Sequence, residues 1–492
     1  MNFDDLPRGR PGTHPESGEA PRSLWLDPAH LTGSFFRYRP GRIFLGLTAA
    51  NEEVGVADNR HLITVAGSRA GKGTSAIVPN LLRYEGSVFV LDPKGENASI
   101  TARRRGRGEE IPAGGMHQDV HVLDPFGKAD VPEHYRSGFN PLAALDPAMP
   151  GFIDDCDALA DALVVSEHAK EHDFWNSSAR IVLRGFIAYV AGSTRVRPEL
   201  RNLSMVRSLL ILPKKHFRDL LVRMSMLGDE AAGVPREAAG FLLGMDERER
   251  ASVMATVLSH IAFLASPEVA ALFAGGKRQA DLKRWKFGGV SIYLCLPAMR
   301  LHRHSRFFRL YVTSLLLAIE SIRDEPDIPG LMILDEMHVL GHMEALEAAA
   351  GLIAGYGVRI WSIWQDFAQL EDIYKDRWET FLGNASIFQS FGLNDLTTLK
   401  YVSERLGTSP VMQFSTSEIS REQAAGGFTG KSKSFQGVPL LSPDEVAYFF
   451  SRQSRNALVM YPGSDPLFLR RAEYFRDERF RNLVRPKDFK GE

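Results

Sequence analysis

After a polar opening, apolar and polar positions follow two different periods. Short apolar runs bounded by Gly, Pro or Asp, such as "RIFLGL" (Arg42–Leu47), "HLITVAG" (His61–Gly67), "SVFVLD" (Ser87–Asp92) and "DVHVLD" (Asp119–Asp124), predict buried β-strands. From Ala148 the period changes. "DDCDALADALVV", "DFWNSSARIVLRGFIAYVAG", "KKHFRDLLVRM" and "ERERASVMATVLSHIAFLA" space their apolar residues as helices do, and strand-like runs nearly vanish until Gly276. Strands resume with "GGVSIYLCLP", "GLMILDEMHVLG" and "VRIWSIWQD". Strands alternating with helices, interrupted by one helical block, predict an α/β fold. It is a doubly wound, mostly parallel sheet with an inserted all-α domain.

Between these elements, "ARRRGRG" (Ala102–Gly108) reads as a basic turn, and the polar stretch Ser417–Gly437 as a mobile loop. Pro79 falls early in the helix expected after "HLITVAG" and should shorten or kink it. The opening "MNFDDLPRGRPGTHPESGEAPRS" is rich in Pro, Gly and charge, which predicts a flexible arm rather than a signal peptide or membrane anchor. The longest apolar runs, such as "YVTSLLLAIESI", fall short of the roughly 20 residues that cross a bilayer.

Composition narrows little. At 492 residues, the chain is long enough for two to four domains of roughly 100–200 residues. Lys and Arg number 59 against 60 Asp and Glu, so no global basic charge marks a coating of nucleic acid, although a local basic face stays open. Cys156 and Cys295 lie far apart in apolar contexts, which argues for reduced thiols and a cytosolic setting.

The chemistry gathers around "VAGSRAGKGTSAIVPNLL" (Val65–Leu82). A phosphate loop needs backbone N–H groups converging on an anion, a helix N-terminus behind them, and a Lys reaching the terminal phosphates. Gly71 and Lys72 meet the last requirement; Ala66 stands where the first Gly is usual, with Gly67 beside it for the tight turn. Gly73 replaces the hydroxyl that ordinarily binds Mg²⁺, leaving Thr74 or Ser75 to take that part. Gly67 to Ser75, including Ser68, Arg69 and Ala70, are therefore the candidate phosphate-binding residues. "GLMILDEMH" ends an apolar strand in Asp335 and Glu336, where a Mg²⁺ carboxylate and a water-activating base belong. One terminal carboxylate is an ordinary solvated turn; an Asp-Glu pair downstream of a Gly-Lys loop is much less so. Gln365, ending "VRIWSIWQ", could sense the terminal phosphate or simply cap its strand. Together these residues describe an ATPase core with Lys72, Glu336 and Gln365 as its catalytic set, and Asp335 with Thr74 as its metal set. The nucleotide-binding domain then covers residues 36–147 and 277–492, with the helical insertion at 148–276 and the arm at 1–35.

"GSRAGKGTSAIVPNLL", "VLDPKGEN", "FNPL", "DFWNSSAR", "LDEMHVLG", "WQDFAQLEDIY", "WETFLGNA", "PLLSPDEV" and "YPGSDPLFLRRAEYF" follow one another from about Phe36 to Leu483. In this order they resemble the type IV secretion coupling proteins. These are the hexameric RecA-like P-loop ATPases of conjugative DNA transfer, within the FtsK/HerA superfamily. The resemblance implies ATP and Mg²⁺ as cofactors, Lys72 on the phosphates, Asp335 on the metal through water, Glu336 as base and Gln365 as sensor. It implies a homo-hexamer handling DNA or a relaxase-DNA nucleoprotein, with the all-α insertion contacting substrate or adaptor. Asp92, Lys94 and Glu96 of "DPKGE" become interface or phosphate-edge candidates, a loop salt-bridge cluster being the equal alternative. The family usually carries an N-terminal membrane anchor. Either this is a cytoplasmic protein, monomeric in isolation, that meets type IV secretion components and the inner membrane through a separate membrane-anchoring partner, or the anchor has been removed; the polar opening favours the former. An arginine acting in trans is also implied, with Arg359, Arg377 and Arg405 as candidates. "RRRGRG" (Arg103–Arg107) and the lysines Lys431 and Lys433 could grip DNA phosphates, although basic loops are more often solvated. The His-rich "RLHRHSRFF" reads as polar helix surface, and Phe174 and Trp175 as packing residues. Two other functions fit the same residues: a nucleotide-gated recruitment platform for secreted protein effectors, and an FtsK/HerA-like DNA translocase without a secretion partner.

Overall fold

The computed structural model describes residues 24–27, 31, 35–165, 173–276, 278–416 and 431–491. Its strands are β1 (Ile43–Leu47), β2 (Glu53–Val56), β3 (His61–Ala66), β4 (Val88–Asp92), β5 (Asp119–Leu123), β6 (Val290–Cys295), β7 (Gly330–Leu334), β8 (Val358–Trp364), β9 (Ala385–Phe391), β10 (Thr408–Thr416), β11 (Lys431–Pro439), β12 (Asn456–Met460) and β13 (Leu467–Arg470). Eleven of them form one sheet in the order β2-β1-β13-β12-β9-β3-β8-β7-β4-β6-β5, and β10 with β11 makes a separate hairpin. From β9 to β5 every neighbouring pair is parallel. β12, β13, β1 and β2 extend the sheet beyond β9 with antiparallel pairing.

Continuous apolar strands require cover on both faces, and both are covered. Along β3, Ile63 and Val65 join one core while Leu62 and Ala66 join the other, as a period of two demands. The first core runs without a break from sheet residues Phe89 and Leu91 into Leu183, Phe186 and Ile187 of the helix Asp173–Gly192, so the helical block packs on the sheet itself. Ala98 and Ala102 of the helix Glu96–Arg105 cover the second face. A smaller third cluster joins Val78 and Leu82, behind the phosphate loop, to Tyr474, Phe480 and Val484 near the C-terminus.

Several expectations change on folding. "ARRR" is the last turn of a helix, not a turn in solvent, and Arg103 and Arg105 are buried. Arg105 donates to the carbonyls of Leu81 and Tyr84 at 2.8 Å, to Gly86, to Ser291 Oγ at 2.6 Å and to Gln118 Oε1 at 2.7 Å. It ties two helices to β6 and cannot grip DNA. Arg105→Met should lower stability by about 3 kcal/mol or more, because five buried acceptors lose a charged donor, whereas exposed Arg107→Ala should be near neutral in the same denaturant titration. "RLHRHSRFF" does begin a helix, Leu301–Glu320, but His304 and Arg309 are buried. Arg309 donates to the carbonyls of Ala162 at 3.0 Å and Leu340 at 2.8 Å, fastening the helical block to the segment after β7.

The polar loop Ser417–Gly437 gives way at its end to β11, where Lys431 pairs in register with Thr416 and Lys433 with Phe414; residues 417–430 lie outside the described residues. So does the arm over residues 1–23. At residues 24–27 the expected arm is already anchored: Trp25 packs edge-on to Phe468 at 5.8 Å, and Leu26 N donates to Pro466 O at 3.0 Å. Phe174 stands 56% exposed rather than packed, while Trp175 rests against the first core. Cys156 and Cys295 are buried and unpaired with each other, as expected. Among the described residues no helix is long and apolar enough to cross a membrane.

Candidate functional site

Four adjacent strands, β3, β8, β7 and β4, deliver the sequence-predicted residues to the C-terminal edge of the sheet. β3 runs into the loop Gly67–Gly73, β8 into Gln365, β7 into Asp335 and Glu336, and β4 ends at Asp92. One cavity of about 710 Å³ is enclosed by Ser68 to Thr74, Asp92, Lys94, Glu96, Asp335 and Glu336 together with Arg452, Arg455, Arg471 and Glu473; Gln365 lies outside this lining and bonds Glu336.

The loop's departures from the usual pattern have physical reasons. Positive φ falls at Arg69 (57°) and Gly71 (96°), so the tight turn is theirs and not Gly67's. Gly67 is needed for another reason: a β-carbon there would strike the carbonyl oxygen of Gly392, just past β9. Gly392 in turn leaves room for Ala70. Behind the loop, Gly73–Ile77 forms a π-helical turn before the α-helix Val78–Arg83, which has Pro79 in its first turn. Pro79 lacks the N–H that an α-helical bond to Ser75 would use, which accounts for the wide turn preceding it. Thr74 and Ser75 both donate their hydroxyls to Gly71 O, at 3.1 and 2.8 Å. Only Thr74 lines the cavity; Ser75 is buried.

At the cavity floor Lys72 Nζ donates to Glu336 Oε1 at 2.9 Å and sits 3.6 Å from Asp335 Oδ1. Gln365 Nε2 donates to the other Glu336 oxygen at 2.8 Å, and His338 Nδ1 lies 3.5 Å from it. Glu336 holds φ 57°, ψ 48°, a left-handed conformation rare for a non-glycine residue, which turns its carboxylate back toward the loop. Burial pushes the Asp335 carboxyl up to about 6, against the Lys72 ammonium that lowers it. Burial also acts to raise Glu336, but Lys72 and the Gln365 amide hold it below its ordinary value. The two acids thus separate in proton affinity, the arrangement an acid–base site uses.

Asp335 Oδ1 is buried with only the Lys72 ammonium, at 3.6 Å, beside it, and it has no close hydrogen bond in a cavity that also presents the Thr74 hydroxyl. Among the described residues no group of three or more His, Cys, Asp or Glu is poised around a metal. The oxygen donors fit a hard cation held through water and by its ligand's own phosphates, as Mg²⁺ is, rather than an all-protein cage.

Asp92 is fully enclosed: it accepts from Ala98 N at 2.8 Å and Asn97 Nδ2 at 3.4 Å, capping the helix Glu96–Arg105. Burial pushes its carboxyl up to about 7, although the backbone N–H groups of Ala98 and Asn97 lower it. In the native protein this group keeps a proton that the unfolded chain gives up near 3.8. Its contribution to stability is therefore full below that value and lost as pH rises toward about 7. In urea titrations, Asp92→Asn should gain stability relative to the parent as pH rises across that window; a constant difference would place Asp92 in the ordinary range.

Of the three trans-arginine candidates only Arg359 is buried; Arg377 and Arg405 are exposed. Arg359 is buried at the start of β8, the end of the sheet away from the cavity. Arg377 pairs with Glu347 at 2.6 Å, and Arg405 lies over the rings of Phe388 and Tyr401. The sequence reading missed the C-terminal wall. Arg471 donates to Ala70 O within the loop and to Arg452 O at 2.8 Å, with its guanidinium 4.7 Å from the Phe391 ring. The segment "LFLRRAEYF", a short continuous apolar run ending in two arginines, was the available signal for a strand ending at a site.

The family described as type IV secretory system conjugative DNA transfer matches residues 27–490. Probable conjugal transfer protein TraG of Sinorhizobium fredii is 27% identical over 424 residues, covering 85% of this chain and 62% of that protein. Protein VirD4 of Agrobacterium fabrum is 26% identical over 437 residues, covering 86% and 60%. The chain thus spans less than two thirds of the length of these curated relatives. Among solved structures, plasmid coupling protein TrwB in complex with ADP and Mg²⁺ matches with a TM-score of 0.64 at 15% identity, over 93% of this chain and 97% of that one. TrwB in complex with a non-hydrolysable ATP analogue matches with a TM-score of 0.64, also at 15% identity, over 94% and 96%. The fold is therefore the RecA-like P-loop α/β fold.

Proposed function

We propose, on the premise that the chain belongs to the type IV secretory system conjugative DNA transfer family, that it is an ATP-hydrolysing coupling protein. In this reading it recruits DNA, or a relaxase-DNA nucleoprotein, and delivers it to a secretion channel. One observation carries the reading: three separate strand ends bring Lys72, Asp335 and Glu336 together in a cavity that includes the loop, with Gln365 bonded to Glu336 from beside it. A structural joint has no use for a lysine, two acids and an amide brought together from such distant positions.

The chemistry follows from these contacts. Incoming phosphates draw Lys72 off Glu336, since the ammonium binds a multiply charged oxyanion better than one carboxylate. Glu336, still held by Gln365, is then free to orient a water and accept its proton as the water oxygen attacks the terminal phosphorus and ADP departs. Loop N–H groups and the helix N-terminus behind Gly73 hold the phosphates. Mg²⁺, when bound, would neutralise charge on the transferring group, and Thr74 and Asp335 are the residues that would hold it. The active form in this reading is a homo-hexamer at the cytoplasmic side of the inner membrane, reached through type IV secretion components and a membrane-anchoring partner. The helical block, residues 148–276, is the surface offered to substrate or adaptor.

Transfer of DNA from donor cells tests the reading. Donors whose only copy is Lys72→Ala should transfer at background frequency with the protein present at parental level. Transfer at the parental frequency would remove the nucleotide from delivery and leave a passive platform.

A further inference from the structure

The helical block carries a charge that the chain as a whole does not. From Thr194 to Ser225 eight Lys and Arg stand against two acids, Glu199 and Asp219, in a chain whose 59 Lys and Arg and 60 Asp and Glu nearly cancel. Among the described residues only one of the eight, Lys214, pairs with a carboxylate, that of Glu247 at 2.9 Å. Elsewhere on the same block arginines are matched: Arg180 pairs with Asp161 at 2.7 Å, Arg184 with Asp157 at 3.2 Å and Arg236 with Asp229 at 3.4 Å. Building on the reading of the block as the surface offered to substrate or adaptor, we propose that the outer face of the helix Lys214–Ser225 docks an acidic, amphipathic helical segment of a protein partner. The partner's carboxylates meet Lys215, Arg218 and Arg223, and its apolar side chains meet Val222 and Met226.

Helical spacing fixes what the face presents. Leu220, Leu221 and Met224 are buried, and Phe217 stacks on Phe186 at 6.0 Å, so one side of the helix is locked to the block. The opposite side is exposed. Lys215, Arg218, Val222 and Met226 follow one another at intervals of three and four and form a single stripe, which Met226 closes at the end of the helix. Val222 is 38% exposed and Met226 73%. Arg223 flanks the stripe, its Nε donating to Asp219 O at 3.3 Å. Burial raises the Tyr189 hydroxyl, and Arg195 and Arg223, both near it, pull the other way, so a further exposed cation stands close to the stripe.

Apolar side chains flanked by unpaired cations have the anatomy of a protein interface, in which the centre supplies burial and the rim charges select the partner. A purely apolar partner would strip water from those cations and return nothing, whereas carboxylates repay it. A DNA duplex would also meet the cations. Val222 and Met226 would then lie against phosphates without gain, and Asp219 would repel them. Phe217 faces the core, so it offers no stacking platform to a single strand. The stripe from Lys215 to Met226 is about 16 Å long, the length of roughly three turns of a partner helix. Met226, unbranched and adaptable, suits a surface that packs against another protein.

Fluorescence anisotropy with the whole chain tests the face. The probe is a labelled peptide of about three heptads, with Leu along one side, Glu flanking it and Ala elsewhere. The parent should bind it, more weakly as salt rises, and should not bind the same peptide with Lys in place of Glu. Val222→Ser with Met226→Ser should weaken binding about tenfold, and Lys215→Glu with Arg218→Glu by at least as much. Both pairs should keep parental circular dichroism and ATP turnover, because neither touches the cavity. Failure to bind the Glu peptide, or equal binding of the Lys peptide, would overturn the assignment. So would a DNA duplex that binds this face more tightly and ignores Val222 and Met226, or self-association that Lys215→Glu with Arg218→Glu abolishes. Those two results would give the face to nucleic acid or to a second copy of the chain. The wider reading fails separately, by DNA transfer that survives Lys72→Ala; peptide failure with that requirement intact removes the docking face alone.

Discussion

Lys72→Ala is expected to lose at least about a hundredfold in ATP affinity while keeping its fold. The side chain is the one cation on the cavity floor that contacts both Asp335 and Glu336. Removing it subtracts the strongest attraction for terminal phosphates and leaves two adjacent carboxylates unscreened, which repel the same phosphates. Both effects act in one direction. The fold should survive, because Lys72 is not part of any hydrophobic core cluster, and the loop is held from behind by Arg471. Calorimetry with matched circular dichroism checks both halves. Unchanged affinity would mean that the loop is a plain strand–helix joint.

Glu336→Gln separates binding from chemistry. The amide preserves the size of the side chain and can still meet Gln365, but it cannot take a proton from water. Turnover should fall at least about a hundredfold, the usual scale for a lost general base. ATP binding should be retained, because the variant has also lost the carboxylate that competes for Lys72 in the empty cavity. Near-parental turnover would transfer the role of base to another group, Asp335 or His338.

The reacting end of the cavity was legible in sequence for a local reason. Asp335, Glu336 and Gln365 directly follow apolar strands and Lys72 lies in the glycine loop after another, so "HLITVA", "GLMIL" and "VRIWSIW" announce both the strand and the position of the chemistry. Parallel strands then guarantee that their C-terminal ends lie side by side. The opposite wall was not legible. Arg471 reaches Ala70 across an antiparallel extension of the sheet, and nothing in "RRAEYF" says which distant loop its guanidinium will bond. β9 was hidden by its polar residues: Ser386, Gln389 and Ser390 are buried, with Gln389 Nε2 donating to Leu45 O at 3.2 Å. Clustered arginines misled for the same reason. Arg103 and Arg105 look like a solvated basic turn until the helix directs them inward, against carbonyls left over at neighbouring chain ends. Close approach, more than backbone freedom, explains Gly67, and a sequence carries no sign of the Gly392 carbonyl that demands it.

Steady-state ATP turnover by the purified chain, with no nucleic acid, with single-stranded DNA and with double-stranded DNA, tests the central claim most directly, using Lys72→Ala as blank. The account predicts turnover that at least one form of DNA stimulates and that disappears in the blank, the preferred strand naming the cargo. Turnover that is indifferent to both forms of DNA, or that persists in Lys72→Ala, would contradict it.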